Sequence, residues 1–384
     1  MRLKFSIVDD DACARMKVVG VGGGGGNAIN RMIASGMDGV EFIAINTDAQ
    51  VLELSQAHQR IQIGKDVTKG LGAGAKPEMG RQSIEEDKDR VAEALKDADL
   101  VFITTGMGGG TGTGACPVIA EIARDLDALT VGIVTKPFYF EGKPRMRNAE
   151  TGIVELKEYV NTLIVIPNQR LLEVISPDTS ITEAFRIADE ILMHATRGIS
   201  DLITVPGLIN LDFNDVKTVM LEGGDALIGT GGERGEGRAL KAAEQAINSP
   251  LLENISIVGA KGLLVNISSG SDLTLTEVNE AVTLVTQEAG DEANVIFGTV
   301  LDDSLEDEIR VTVIATGFNA SGEEEEMVPM ETQSSQAPIQ PSDVPTVLRK
   351  KQESKVQTLV DQGETRRLTP DNMEYPTFLR KRRV

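Results

Sequence analysis

From Lys17 onward the chain alternates short apolar runs with stretches whose apolar residues recur at helical spacing. KVVGV (17–21) reads as a buried strand, and the helix that follows the glycines after it turns Ile29, Met32 and Ile33 inward. VEFIAINTD (40–48) predicts a second strand. DLVFITTG (99–106) predicts a third, followed by a helix over GACPVIAEIARDL (114–126). LTVGIVTK (129–136) and TLIVIPN (162–168) read as two more strands, with a helix around Ile153–Tyr159 between them. Alternation of this kind implies a doubly wound parallel sheet, whose ligand site lies at the carboxyl ends of its strands.

From Ser180 one long helical pattern begins. Ile181, Ala184, Phe185, Ala188, Ile191, Leu192, Ala195 and Ile199 make one helical stripe, opened by the capping-box pattern Ser180 to Glu183. A loop and another helix start follow in TVPGLINLDFNDVKTVM (204–220). Beyond them KGLLVNISS, NVIFGTV and EIRVTVIATG are strand-like, with a helix over 274–290 among them. The expected organisation is therefore α/β throughout. It has a flexible N-terminus (1–16), a doubly wound parallel-sheet domain (17–179), a long connecting helix (180–202) and a smaller α/β domain with a mixed sheet (203–318). After Phe318 the chain turns rich in Pro, Ser, Gln and charge. Residues 319–370 cannot bury enough apolar surface to offset the cost of ordering, so a disordered linker is expected. Aromatic residues return only in the terminal segment 371–384.

Composition narrows the function classes. Of 384 residues, two are cysteine and two histidine, too few for a disulfide framework or Cys/His zinc spacing. The net charge of −21 argues against a nucleic-acid binder, which needs a basic face. The N-terminus lacks a signal-peptide core and no run reaches ~18 apolar residues, so a cytoplasmic protein is expected.

The chemistry concentrates in two glycine clusters, VGVGGGGGNA (19–28) and TTGMGGGTGTGACP (104–117), each directly after a strand. Gly20, Gly22 and Gly25 satisfy G-x-G-x-x-G, and Asp48 ends the next strand, where a ribose-binding acid belongs. Five consecutive glycines match many spacings, however, and a tight strand–helix packing turn is the alternative. A dinucleotide fold, and hence an NAD-dependent dehydrogenase, leaves the second cluster unexplained. Backbone N–H groups there, with threonine hydroxyls, would face an anion at a helix N-terminus. Two converging loops suit a triphosphate. Neither holds the lysine of G-x-x-x-x-G-K-[ST], which excludes a P-loop enzyme.

GGGTGTG resembles the glycine-rich signature of the tubulin superfamily. Together with GVGGGGGNA, NTDAQ, KGLGAGAKPEMG, TKPFYFEGKPRM, IPN, NLDFNDVKTVM and the terminal YPTFLR, it makes the chain resemble the bacterial cell-division FtsZ family over nearly all of residues 17–318 and the last ten or so. The resemblance implies a GTP-binding domain in which both clusters cradle one GTP or GDP. Gly23, Gly24, Gly25, Gly26 and Asn27 would line the first loop. Gly108, Gly109, Gly110, Thr111, Gly112 and Thr113 would hold the β- and γ-phosphates, with Thr47 and Asp48 near the γ-phosphate. Glu141 and Arg145 would reach ribose and phosphates, unless they form only a local ion pair. Asn168, Phe185 and Asp189 would hold the base. A carboxylate can accept from guanine N1–H and N2–H₂ side by side, whereas Phe185 also fits plain core packing.

For hydrolysis the resemblance implies that Asn210, Asp212 and Asp215 act on the GTP of a neighbouring subunit in a head-to-tail filament. From the residues alone, Asp212 and Asp215 equally read as a helix cap and first-turn charge. Mg²⁺ would neutralise the phosphates and K⁺ is a further expectation. A non-hydrolysing scaffold of the same fold is the rival reading. Tyr375, Pro376, Phe378, Leu379 and Arg380 would bind membrane-anchoring and regulatory division proteins at mid-cell beneath the inner membrane. The basic run Arg380–Arg383 would add direct attraction to anionic lipid.

Overall fold

The structure, a computed structural model, describes residues 14–318 apart from 174, 177, 206, 210, 253–256 and 291. Expectations for residues 1–13, for Asn210, for the 319–370 linker and for the 371–384 peptide lie outside the described residues.

The first half runs β1 (Met16–Val21), α1 (Gly22–Ala34), β2 (Val40–Asn46), α2 (Ala49–Glu53) and β3 (Gln59–Gln62). Three helices follow, α3 (Lys65–Thr68), α4 (Pro77–Glu86) and α5 (Lys88–Leu95). Then come β4 (Leu100–Gly106), α6 (Thr111–Asp125), β5 (Leu129–Lys136), α7 (Lys143–Lys157), β6 (Thr162–Pro167) and α8 (Asn168–Leu171). The long helix α9 spans Ile181–Thr204, and α10 spans Phe213–Leu221. The remainder is β7 (Gly224–Arg234), α11 (Arg238–Ile247), β8 (Gly262–Ser269), α12 (Leu275–Ala289), β9 (Asn294–Leu301) and β10 (Glu308–Thr316).

One ten-stranded sheet joins all of this, in the order β3-β2-β1-β4-β5-β6-β7-β10-β8-β9. The first six strands are parallel, as the alternation of strands and helices requires. β7 is the splice: Gly224–Ala226 pair parallel with β6, and Leu227–Arg234 pair antiparallel with β10. The strands after it therefore continue the first sheet along its edge. Helices α1, α9 and α10 share one apolar core on one face of the sheet, and α4–α7 share another on the opposite face. A third core lies under α11 and α12.

Three local departures from the sequence reading have physical causes. The first glycine cluster is not a loop, because Gly22–Gly26 form the opening turns of α1. Gly22, at φ +69°, makes the turn out of β1. A Cβ on Gly25 would overlap the Thr104 carbonyl of β4, so glycine lets this helix lie directly on the sheet. Helix α7 begins ten residues earlier than its apolar period suggests. Its first turns carry Pro144 and exposed polar residues, which leave no buried face to read. In α9, Ser180 caps the helix as expected, its hydroxyl accepting from Glu183 N–H at 3.2 Å. Ala184, Ala188, Leu192, Ala195 and Ile199 are buried, but Ile181 and Phe185 at the head of the stripe are exposed.

Helix α9 has 24 residues and so runs about 36 Å. Its last residue, Thr204, packs against Gly39 directly before β2, at the amino ends of the parallel strands. Helix α10 ends on the same side: the Thr162 hydroxyl, at the start of β6, donates to the Met220 carbonyl at 2.6 Å.

Candidate functional site

A cleft of about 370 Å³ opens at the carboxyl ends of β1, β4, β5 and β6. That position and volume fit a bound small molecule. The start of α1 contributes Gly22, Gly23, Gly24 and Asn27 to its wall. The end of β4 contributes Thr105 and Gly106, and the start of α6 contributes Gly109–Gly112. Gly74, Thr135, Pro137, Glu141, Arg145, Asn168, Phe185 and Asp189 are among the residues that line the rest of it.

At one end of the cleft two helices begin. The first N–H groups of α1 and α6 have no intrahelical partner, and their dipoles point positive ends at the same space. Neither first turn carries an acidic residue that would neutralise it. The backbone between β4 and α6 is held in shape from behind. Gly108, at φ +101°, donates its N–H to Thr113 Oγ1 at 2.8 Å, and Gly110 donates to the Gly74 carbonyl at 2.7 Å. A Cβ on Gly108 would stand 2.7 Å from the Arg145 carbonyl, whereas one on Gly109 or Gly23 would meet no protein atom within 4 Å. Gly109 and Gly23 therefore present bare backbone to the cleft. The cleft's floor is tied by Thr105 Oγ1, which donates to the Val21 carbonyl at 2.8 Å.

Several expected residues stand one layer back. Thr47 is fully buried, with its hydroxyl 2.7 Å from Thr111 Oγ1, so it positions a cleft residue without lining the cleft. Asp48 caps α2, accepting from Gln50 and Val51 N–H at 3.0 and 3.2 Å. Gly25 and Thr113 are buried, and neither they, Gly26 nor Gly108 belongs to the wall. Glu141 and Arg145 do form an ion pair, at 2.6 Å, and both also line the cleft. Glu141 is held by the Phe138 N–H at 2.9 Å, whereas the Arg145 side chain is half-exposed.

The other end of the cleft is a set of acceptors. Asn168, the first residue of α8, is 4% exposed, and its buried Oδ1 has no hydrogen-bond partner. A buried acceptor left unpaired is costly and points to a group that a ligand would supply. Asp189 follows Phe185 by one turn on α9, so both face the cleft. Its side chain is 16% exposed, and among the described residues nothing donates a hydrogen bond to it. Burial pushes its carboxyl up to about 6, against the pull of Arg31, while Glu190 adds to the rise. Phe185 is 39% exposed and meets Phe138 edge-on at 5.5 Å.

Asp212 and Asp215 lie elsewhere. Asp212 is the N-cap of α10, its Oδ1 accepting from the Asp215 N–H at 2.9 Å, and both are exposed. The capping role read from the sequence is thus present in the fold. Neither residue lines the cleft. Among the described residues no cluster of His, Cys, Asp or Glu could hold a metal ion, and no helix is long and apolar enough to cross a membrane. The sequence reading missed Gly22, Thr105, Gly106, Thr135 and Pro137, at or just after strand ends, and Gly74, between α3 and α4, as wall residues, although glycine and proline around them mark turns.

Comparison with known proteins matches residues 15–176 to the model of the Tubulin/FtsZ family, GTPase domain, and residues 224–319 to that of the FtsZ family, C-terminal domain. Among solved structures, an empty FtsZ dimer from M. jannaschii is 46% identical. The match covers 80% of this chain and 89% of that one, with a TM-score of 0.78. GDP-bound monomeric CetZ1 from Haloferax volcanii is 21% identical over 80% of this chain and 95% of its own, with a TM-score of 0.70. The CetZ2 protofilament with GTPγS from the same organism is 22% identical over 80% and 94%, with a TM-score of 0.69. At those identities the two CetZ matches speak for the fold alone.

Proposed function

Because the chain belongs to the tubulin/FtsZ family of GTPases, we propose that it binds GTP in the cleft, assembles head to tail with copies of itself, and hydrolyses GTP only where two copies meet. The observation that carries this reading is the polarity of the cleft: converging helix N-termini at one end and, at the other, the unpaired Asn168 oxygen beside the Asp189 carboxylate, to which no described residue donates a hydrogen bond. The first suits a triphosphate. The second suits guanine, whose N1–H and N2–H₂ are donors. Gly23, Gly24, Asn27 and Gly109–Gly112 would hold the phosphates. Arg145, released from Glu141, would reach them from the rim, and Asn168 and Asp189 would accept from the base. Mg²⁺ would arrive with the phosphates and offset their charge, since the described residues hold no acidic cluster for it.

Hydrolysis needs groups that the cleft lacks. Its wall offers only Asp189 and Glu141 as carboxylates, one at the base end and one held in an ion pair. Asp212 and Asp215 are exposed at the start of α10, outside the wall of the cleft. In a head-to-tail pair that surface would meet the next molecule's cleft, where the aspartates, with Asn210, would orient water beside the γ-phosphate. Such filaments would form the division ring at mid-cell, and the 371–384 segment would recruit membrane-anchoring and regulatory partners.

The test is GTP turnover against protein concentration. Turnover per molecule should be near zero below a threshold and rise steeply above it, because two copies are needed for one site. Turnover per molecule that stays constant over a hundredfold range, with GTP bound throughout, would overturn the shared site.

A further inference from the structure

We propose that Arg31 is a positioning residue for the base: from behind Asp189 it holds that carboxylate in its charged form while leaving its oxygens unoccupied, and so sets the preference of the cleft for guanine. This rests on reading the cleft as the GTP site.

Arg31 lies on α1, one turn beyond the cleft residue Asn27 and on the same face. Its guanidinium spans the contact between α1 and α9. NH2 stands 4.0 Å from Asp189 Oδ2 and NH1 3.9 Å from Glu190 Oε1. Both separations are too long for hydrogen bonds but short enough for charge attraction. Asp189 thus gains a compensating charge without spending a lone pair. The neighbouring Glu190 is also hydrogen-bonded by Arg186, which holds Glu183 as well. Arg186 therefore offsets Glu190 from within α9, and Arg31 is the cation left to face Asp189. The charged groups bearing on Asp189 are Arg31 from α1 and Glu190 from its own helix, with Arg186 and Glu183 beyond.

The buried Nε of Arg31 has no hydrogen-bond partner. No hydrogen bond through Nε fixes this side chain, so its place is set by packing and by the two carboxylates. The arrangement matters because Asp189 is half-committed to neutrality. Burial has pushed its carboxyl up to about 6, and Arg31 is what holds it down. A protonated carboxyl keeps one acceptor oxygen but turns the other into a donor, so one of the two guanine N–H groups, N1–H or N2–H₂, would meet a donor. Removing the guanidinium should therefore raise the pH at which guanine recognition fails, rather than merely weaken packing.

The experiment measures binding of GDP and IDP to the full-length chain between pH 5 and 8, with melting temperatures alongside. In the unaltered protein GDP affinity should fall below about pH 6, by up to tenfold per pH unit where one proton is linked. In Arg31→Gln the midpoint should move up by about one unit, the scale of a single opposite charge at this distance. The GDP-over-IDP preference at pH 7 should narrow with it, because hypoxanthine lacks the N2 amine. Arg31→Lys should return the midpoint most of the way. Arg31→Met, which keeps the apolar stem, replaces Arg31→Gln if that variant does not fold. A variant that lowers the melting temperature or overall affinity with the midpoint and preference unmoved would leave Arg31 a structural strut and overturn the proposal. Asp189→Asn separates this from the underlying reading. It should lose guanine affinity and its pH dependence. If it binds GDP as the unaltered chain does, with the same pH profile, the guanine assignment itself fails.

Discussion

The two ends of α9 are built from different materials. At its amino end the cleft is made of backbone: bare glycine N–H groups, buried acceptors and side chains held from behind. At its carboxyl end, about 22 Å from Asp189 to Thr204 along the axis, the chain turns toward α10. There it presents two carboxylates in solvent, one of them already employed as a helix cap. On the proposed reading the cleft end supplies the binding groups and is poor in groups that could activate water. The α10 end has such groups, exposed at a helix start. Rigid, buried parts suit affinity, and exposed charge suits an act that must wait for a partner.

The sharpest way to break this contrast is Asp215→Ala. Hydrolysis should fall by about 10²–10⁴-fold, the range for a positioned acid or base, while GDP affinity stays within about twofold, since the cleft is untouched. Equal loss of binding and hydrolysis in a calorimetric and phosphate-release assay would merge the two ends into one function.

Gly109→Val attacks the opposite end. Loss of one charge-assisted backbone contact is about 1.5–3 kcal/mol, or roughly ten- to a hundredfold in affinity, with the melting temperature near that of the unaltered chain because the added atoms meet no protein. Gly108→Val should instead destabilise the fold, since its φ is positive and the Arg145 carbonyl lies in the way. An equimolar mixture of Asp215→Ala and Gly109→Val should regain turnover that neither shows alone, one molecule supplying the cleft and the other the carboxylate. A mixture no more active than its parts speaks against sharing.

The smallest effect separates the two duties of Asp212. Asp212→Ala should cost about 1 kcal/mol of stability through the lost cap, and Asp212→Ser much less. Both should lower hydrolysis alike if the carboxylate itself is needed. If Asp212→Ser restores turnover along with the cap, the residue serves α10 and not the γ-phosphate.

Five of the six parallel strands were legible because they are continuous apolar runs, and LTVGIVTK coincides with β5 residue for residue; the edge strand β3, a polar QRIQ with one buried side chain, left no such run to read. Nor was β7 legible. Its sequence GDALIGTGGER carries glycines where a strand should show β-branched residues. Gly229 and Gly231 sit where a Cβ would strike the carbonyls of Ala246 and Ala242 in α11, so the packing that needs the strand also erases its signature. The same conflict hid the start of α1, where glycine spacing resembles a loop but serves close approach to β4. In the cleft, the glycine and acceptor types could be read from motifs. Which glycines face the ligand, and which only make room, depends on the neighbouring strand and helix. Arg31 left no mark in the motifs, because its meaning comes from α9, far along the chain.

The length of α9 also has an arithmetic. If each molecule carries half a catalytic centre at either extremity of a rod, a row of n molecules contains n − 1 whole centres. The molecule whose cleft lies at the open tip keeps its triphosphate intact, while at the other tip a pair of aspartates stands idle. A lone pair of molecules would then run at half the per-copy rate of a long row, and the two tips would differ chemically without any change in either fold. Which tip gains or sheds subunits faster would be decided by whether the nucleotide or the carboxylates face outward there.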